Sequence, residues 1–437
     1  MKKKLVLLLS IILLASLIGC SNINNDMTQG DVKELVAKAD YPPAVGFDDY
    51  DGKRAVWDNN EVSDAFIQGL SNFSADTIAE LLITSNSSEN TMYSPISLHM
   101  ALALSSSGAS SETQKEILLT MHMKDLGIEE LEKQTGNLFR LIYKDNEIGK
   151  LKLANSLWLD RKESFKEDYL KTVLEDYYAS LYAVDFSKKE TEKLISKWIA
   201  DNSNGTLKGS VPVNEEQILT IINTIYFYDE WTTKFDKNRT KEDTFHCNDG
   251  KDVVCDFMNM RFSSHGFVDG DGFLTSSLNL KNGASMSFYL PDEGVDVYDL
   301  ISTPEKVKIL LDKDDPSNIK KFGEVVFKVP KFSFGSTLHL KEALKRLGIY
   351  RAFEKDADFS GLTDADIVYI SDIIQSTHIS IDEKGCEASA YTQIDYAGSA
   401  QPKDKAEMIL DRPFIFTIKG SKGVVLFIGI VNNPIEE

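Results

Sequence analysis

Positive charge is scarce in this chain of 437 residues: 48 lysines and arginines stand against 68 aspartates and glutamates, a formal net charge of -20. Beyond the three lysines at the N-terminus there is no basic run. This balance disfavours nucleic acid and anionic lipid surfaces as charge-driven partners. Histidine is rarer still, six residues scattered along the chain, and no H-E-x-x-H, G-x-S-x-G or Walker loop occurs. Neither a metal centre nor a common hydrolase or nucleotide enzyme is expected, and no cofactor is implied. Ser317 to Lys320 spell the Ser-x-x-Lys of penicillin-binding enzymes, but no Lys-Thr-Gly accompanies them and Ser317 follows a proline in a charged turn. That match is chance, and the chain is not read as an enzyme.

Cysteine is also sparse. Of the four, Cys20 falls in "MKKKLVLLLSIILLASLIGC", where three lysines precede an apolar stretch too short for a comfortable membrane span. This is the layout of a secretory signal. Its last residues, Leu17, Ile18, Gly19 and Cys20, resemble the bacterial lipobox, in which the cysteine is lipidated and becomes the mature N-terminus. The expectation is export and anchoring to the outer face of a bacterial membrane through lipid on Cys20; an ordinary signal peptide with an incidental cysteine is the alternative. Cys247, Cys255 and Cys386 then remain, an odd count that argues against a disulfide framework. Cys247 and Cys255 flank the turn "NDGK" without directly opposing one another, and whether they bridge is left open.

What is present is ordinary globular material, 42% hydrophobic and 27% charged. Residues 1–19 read as signal peptide, 20–61 as the lipidated cysteine and an Asn-, Asp- and Gly-rich tether, and 62–437 as a single domain. "VSDAFIQGLSNFSADTIAELLI" has helical spacing, and "SPISLHMALALSSSG" opens on Ser-Pro, a helix start. Helices dominate the first third. Later segments, among them "LKLANSLWLD", "QILTIINTIYFYDEW", "GASMSFYLP", "GEVVFKVPKFSF" and "IVYISDIIQSTHISID", read as strands, with a helix expected over "TLHLKEALKRLGI". Helices early, strands late and no repeated βα unit predict an α+β fold with large, mainly antiparallel sheets.

One segment carries two patterns at once. From Cys386, the alternate residues Cys386, Ala388, Ala390, Thr392 and Ile394 are small or apolar, while Glu387, Ser389, Tyr391, Gln393 and Asp395 are mostly polar, the period of a half-buried strand. Residues 395–405 are nevertheless loop-like. "NTMYSPISLHMALALSSSGASSETQKEI", "LTIINTIYFYDEW", "VPKFSF", "IDEKGCEASAYT" and "RPFIFTIKG...LFIGIVNNP" follow in an order that resembles the serpins, serine protease inhibitors with a large exposed reactive-centre loop. The likeness spans roughly residues 62–434 and implies several helices on large β-sheets.

The resemblance implies a mechanism. After a protease cuts the loop, its hinge side inserts as a new strand of the main sheet. Glu383, Gly385, Cys386, Glu387, Ala388, Ser389, Ala390 and Thr392 match that hinge, with Gly385 free to pivot. Cys386 stands where Thr or Ser is usual, Tyr391 replaces a small residue on the outward face, and Gln375 replaces a frequent His. Ser94, Ser97 and Asn223 match a polar cluster where the sheet opens, Trp231 the aromatic at the loop's entry, and Lys331 with Glu383 a pair that tethers the loop base. Counting from Glu383 by the span usual in inhibitory members reaches the reactive bond Ser399-Ala400, with Tyr396, Lys403 and Lys405 as competing registers. A Gly-Ser-Ala tip suits a small primary pocket, elastase-like or subtilisin-like. The expected partner is a target serine protease held covalently by a monomeric inhibitor; a non-inhibitory surface-binding serpin is the alternative.

Overall fold

The computed structural model describes residues 35–83, 89–207, 211–385 and 404–435. Strand β1 (Leu35–Ala37) leads to helices α1 (Tyr50–Asn59) and α2 (Asp64–Ile83), then to β2 (Thr91–Tyr93), α3 (Pro95–Gly108), α4 (Ser111–Thr120) and α5 (Ile128–Ile142). The middle holds β3 (Lys144–Asp145), β4 (Lys150–Asp160), α6 (Glu167–Glu175), β5 (Ala179–Val184), α7 (Lys189–Asn202) and β6 (Leu219–Tyr228). Next come β7 (Lys241–His246), β8 (Asp252–Asp269), β9 (Phe273–Asn279), β10 (Ser285–Pro291), α8 (Pro304–Leu311), β11 (Ile319–Pro330) and β12 (Phe332–His339). The last described elements are α9 (Lys341–Arg346), β13 (Ile370–Ile381), β14 (Asp404–Ile409), β15 (Phe414–Lys419) and β16 (Val425–Val431).

Two sheets organise these strands. The seven-stranded sheet runs β1-β5-β4-β6-β13-β12, with β3 on β4, and the nine-stranded sheet runs β14-β11-β8-β9-β10-β15-β16-β2, with β7 on β8. Behind them lies α3, which starts where Ser94 Oγ accepts from Ser97 N at 3.4 Å and Pro95 fixes the first turn. Every residue of α3 except Ser107 is buried, as expected of a helix apolar on all sides. The β-branched run of β6 occupies the middle of its sheet, where such side chains pack best. The chain crosses from one sheet to the other at Lys331, between β11 and β12.

Two expectations need correction, and one open question is answered. Residues 35–61 are not a tether: Leu35 and Ala37 pair with Tyr182 and Leu181 of β5, and the Tyr41 hydroxyl donates to Leu153 O at 3.2 Å. The Tyr41 ring also stacks on Phe139 and Tyr143. Overall Asn and Gly content masked these few apolar residues, which suffice to add a strand to a sheet edge. The helix expected from Thr337 begins only at Lys341, because Thr337, Leu338 and His339 complete the ladder of β12 with β13. In the β7/β8 hairpin, Cys255 lies opposite Asp243 while Cys247 N donates to Lys251 O. Four residues of strand rise keep the two cysteines about 13 Å apart along the ladder, beyond disulfide reach, and burial pushes the Cys255 thiol up to about 12.

Candidate functional site

The seven-stranded sheet has parallel joins at β4/β5 and at β6/β13, and the second, the seam, is the one that borders the end of β13. There β6 and β13 are paired from Ile370 opposite Leu219 to Thr377 opposite Ile225. Both continue further, β13 to Ile381 against β12 and β6 to Tyr228 against β4. Gln375, Asn223 and Asn155 lie in register on β13, β6 and β4. All three are buried, and with Ser94 and Ser97 they form one polar layer between sheet and helix. Gln375 Oε1 accepts from Ser94 N at 2.8 Å, and its Nε2 donates to Ser94 O at 3.0 Å. Ser97 Oγ donates to Asn223 Oδ1, and Asn223 Nδ2 donates to Asn155 Oδ1 at 2.6 Å. Among the described residues Asn155 Nδ2 and Thr224 Oγ1 are buried without a partner, so the layer is not fully satisfied.

At the end of β13 the chain turns sharply. Trp231 is fully buried and donates its indole Nε1 to Asp382 O at 3.0 Å. Trp231 N and Phe235 N donate to the carbonyls of Lys384 (3.1 Å) and Glu383 (3.0 Å). Gly385 has φ +132° and pairs with both Asp382 and Glu230. A Cβ there would stand 2.5 Å from Asp229 O and 2.7 Å from Trp231 N, so only glycine fits.

Glu383 is buried beside this turn. Its Oε1 accepts from Thr240 Oγ1 at 2.8 Å and lies 3.5 Å from Lys331 Nζ, which is also 3.6 Å from Asp256 Oδ2. Burial is the largest influence on its carboxyl and pushes it up. The Thr240 hydroxyl, the backbone N–H and the Lys331 and Lys237 charges outweigh that, so the group stays below the usual glutamate range. Because Lys331 sits at the crossover, the pair joins both sheets to the start of the loop.

The description Serpin (serine protease inhibitor) belongs to the family model that matches residues 68–434. The chain belongs to the serpin family. Serpin-Z10 of Arabidopsis thaliana is 28% identical over 371 residues, covering 81% of this chain and 94% of that one. The thermophilic serpin tengpin, in its native state, superposes with a TM-score of 0.75 at 28% identity, covering 85% of this chain and 95% of tengpin. Human thyroxine-binding globulin, complexed with its hormone, shares the fold with a TM-score of 0.74 at 24% identity, covering 85% and 100% of the two chains. Serpins as a family bind and inhibit proteases rather than catalyse reactions.

In this serpin Ser94, Ser97, Asn223 and Gln375 come together at the seam, and Trp231, Lys331, Glu383 and Gly385 at the hinge. Cys386, Glu387, Ala388, Ser389, Ala390, Thr392, Ser399 and Ala400 lie outside the described residues, as does Cys20. Sequence reasoning missed Asn155, Thr240, Asp256 and Glu230. Asn155 had a signal, an amide within the apolar strand "LKLANSLWLD"; Thr240 and Asp256 are brought to the hinge only by the tertiary fold.

Proposed function

We propose that this serpin is a suicide inhibitor of serine proteases with a small primary pocket, elastase-like or subtilisin-like. The observation that carries the reading is the parallel seam. β6 and β13 both point toward the hinge, so a chain that reverses at residues 382–385 and runs back between them is antiparallel to both. One parallel ladder is replaced by two antiparallel ones, which are slightly more stable per residue. The small inward residues Cys386, Ala388, Ala390 and Thr392 suit that buried position.

The protease serine attacks the Ser399 carbonyl, an ester forms, and the bond to the Ala400 nitrogen breaks. The freed hinge then inserts and carries the acylated enzyme away before water completes hydrolysis. If insertion is slower than deacylation, the chain is merely a substrate. Lys405 is paired opposite Glu324 within β14, which argues against a reactive bond there. Ser94, Ser97, Asn223 and Gln375 hold the seam closed with exchangeable hydrogen bonds, and Trp231, Lys331 and Glu383 tether the loop base. Lipid on Cys20 anchors a monomeric inhibitor to the outer membrane face of a bacterium.

Incubation with elastase, subtilisin, trypsin and chymotrypsin, read on denaturing gels and by intact mass, tests this. A stable band at the summed mass with a released fragment beginning at Ala400 is expected. Cleavage without an adduct from any of the four favours the non-inhibitory binding protein.

A further inference from the structure

The seat of the hinge contains a second charge cluster, separate from the Lys331–Glu383 pair. Glu230 is buried, yet its Oε2 lies 2.6 Å from Lys281 Nζ and 3.3 Å from Lys234 Nζ. The Lys234 side chain is also largely enclosed, with 8% of it exposed, although the residue as a whole is half-buried. The backbone follows the charges: Lys281 N donates to Glu230 O at 2.9 Å, and Thr232 N donates to Asn279 O at 2.9 Å. Asp229 fixes the same turn, accepting from Asn282 N and Asn282 Nδ2, both at 3.0 Å. Residues 229–232 are thus bound to the β9/β10 turn of the nine-stranded sheet. On their other side they carry the hinge, through the Glu230–Gly385 pairing and the bond from Trp231 N to Lys384 O.

We propose that Glu230, braced by Lys281 and Lys234, is a positioning residue for loop insertion: it holds the seat rigid against the other sheet so that Gly385 stays latched until the loop is cut. The inference rests on the inhibitory reading above. A buried carboxylate between two lysines is a fixed electrostatic anchor, and neutralising it leaves two cations competing for weaker acceptors. The seat then loosens and the hinge releases early. Glu230 touches no protease; it acts through the backbone it pins.

The test needs no protease. A synthetic acetylated peptide of residues 385–396 is added to the folded protein, and its annealing into the sheet is followed by Trp231 fluorescence and by the rise in thermal midpoint. Glu230→Gln is expected to take up peptide roughly tenfold faster than a variant of the nine-stranded sheet with the same thermal midpoint, such as Phe245→Leu, tenfold being a modest change in barrier. Lys281→Met, at a more exposed position, carries the same comparison if Glu230→Gln does not fold. Equal rates in the brace variant and its stability-matched control overturn the proposal while leaving the inhibitory reading intact. Failure of the unmodified protein to take up any peptide overturns both.

Discussion

The two sheets of this serpin are held together by different chemistry. In the nine-stranded sheet, Phe414 packs against Phe288 and Phe245 with ring centroids 6.2 and 6.5 Å apart, and Phe414 and Phe416 reach across to Phe332 of β12, in the other sheet, at 6.0 and 5.6 Å. Its ladders are antiparallel except where β14 joins β11. In the seven-stranded sheet, the central seam is parallel and is lined by Gln375, Asn223, Asn155, Ser94 and Ser97. Interlocked aromatic rings resist sliding, because any shift opens voids. Hydrogen bonds between amides and hydroxyls can be exchanged for bonds to a new strand. Under the inhibitory mechanism proposed above, the difference marks where the molecule would open: along a polar seam, at the end bordered by the hinge, with the aromatic sheet as the fixed frame.

The largest effect is expected in that frame. Phe414→Ala should cost about 3–5 kcal/mol, equally in the intact and the loop-cleaved protein, as read by urea denaturation of both forms. A cost confined to one form would break the distinction between frame and seam.

Acid supplies the second comparison. His99 on α3 is fully buried between Phe66 and Phe73, edge-on to both rings, and neither ring nitrogen has a hydrogen-bond partner among the described residues. Burial lowers its pKa from 6.5 to about 3. The folded state therefore binds a proton less readily than the unfolded chain: its stability is complete above pH 6.5 and is lost as pH falls toward 3. At pH 5 the loss is about 2 kcal/mol, and His99→Leu should flatten this part of the pH–stability curve. An unchanged curve would show that the helix beneath the seam tolerates charge.

Within the seam, Asn223→Ala removes the acceptor of Ser97 Oγ and the donor to Asn155 Oδ1, leaving buried groups unpaired at a cost of about 1–3 kcal/mol. The loss should be greater in the intact than in the cleaved protein, measured again by urea denaturation. The smallest effect is expected at Lys331→Met. Its partly exposed ion pair with Glu383 contributes about 0–1 kcal/mol, so the thermal midpoint should barely move while uptake of a loop peptide quickens.

Much of this was legible in the sequence because the signals were local. Ser94-Pro95 announced α3, and the β-branched run announced a central β6; the alternation read after Gly385 falls outside the described residues. Local pattern could not reveal that Asn155 stands opposite Asn223, that Thr240 bonds Glu383 across 143 residues of chain, or that Glu230 is held by Lys281. Those pairings exist only once distant strands fall into register. The same holds for Leu35 to Tyr41, whose few apolar residues are outweighed locally by polar neighbours and acquire meaning only against the open edge of β5.

The most direct measurement is the thermal midpoint of the protein before and after a protease cuts the loop, with the two halves left associated. If the hinge inserts between β6 and β13, the cleaved form melts well above the intact one, because one parallel ladder has become two antiparallel ladders. If the cleaved form melts at or below the intact midpoint, the seam does not accept the loop and the suicide mechanism is wrong for this serpin.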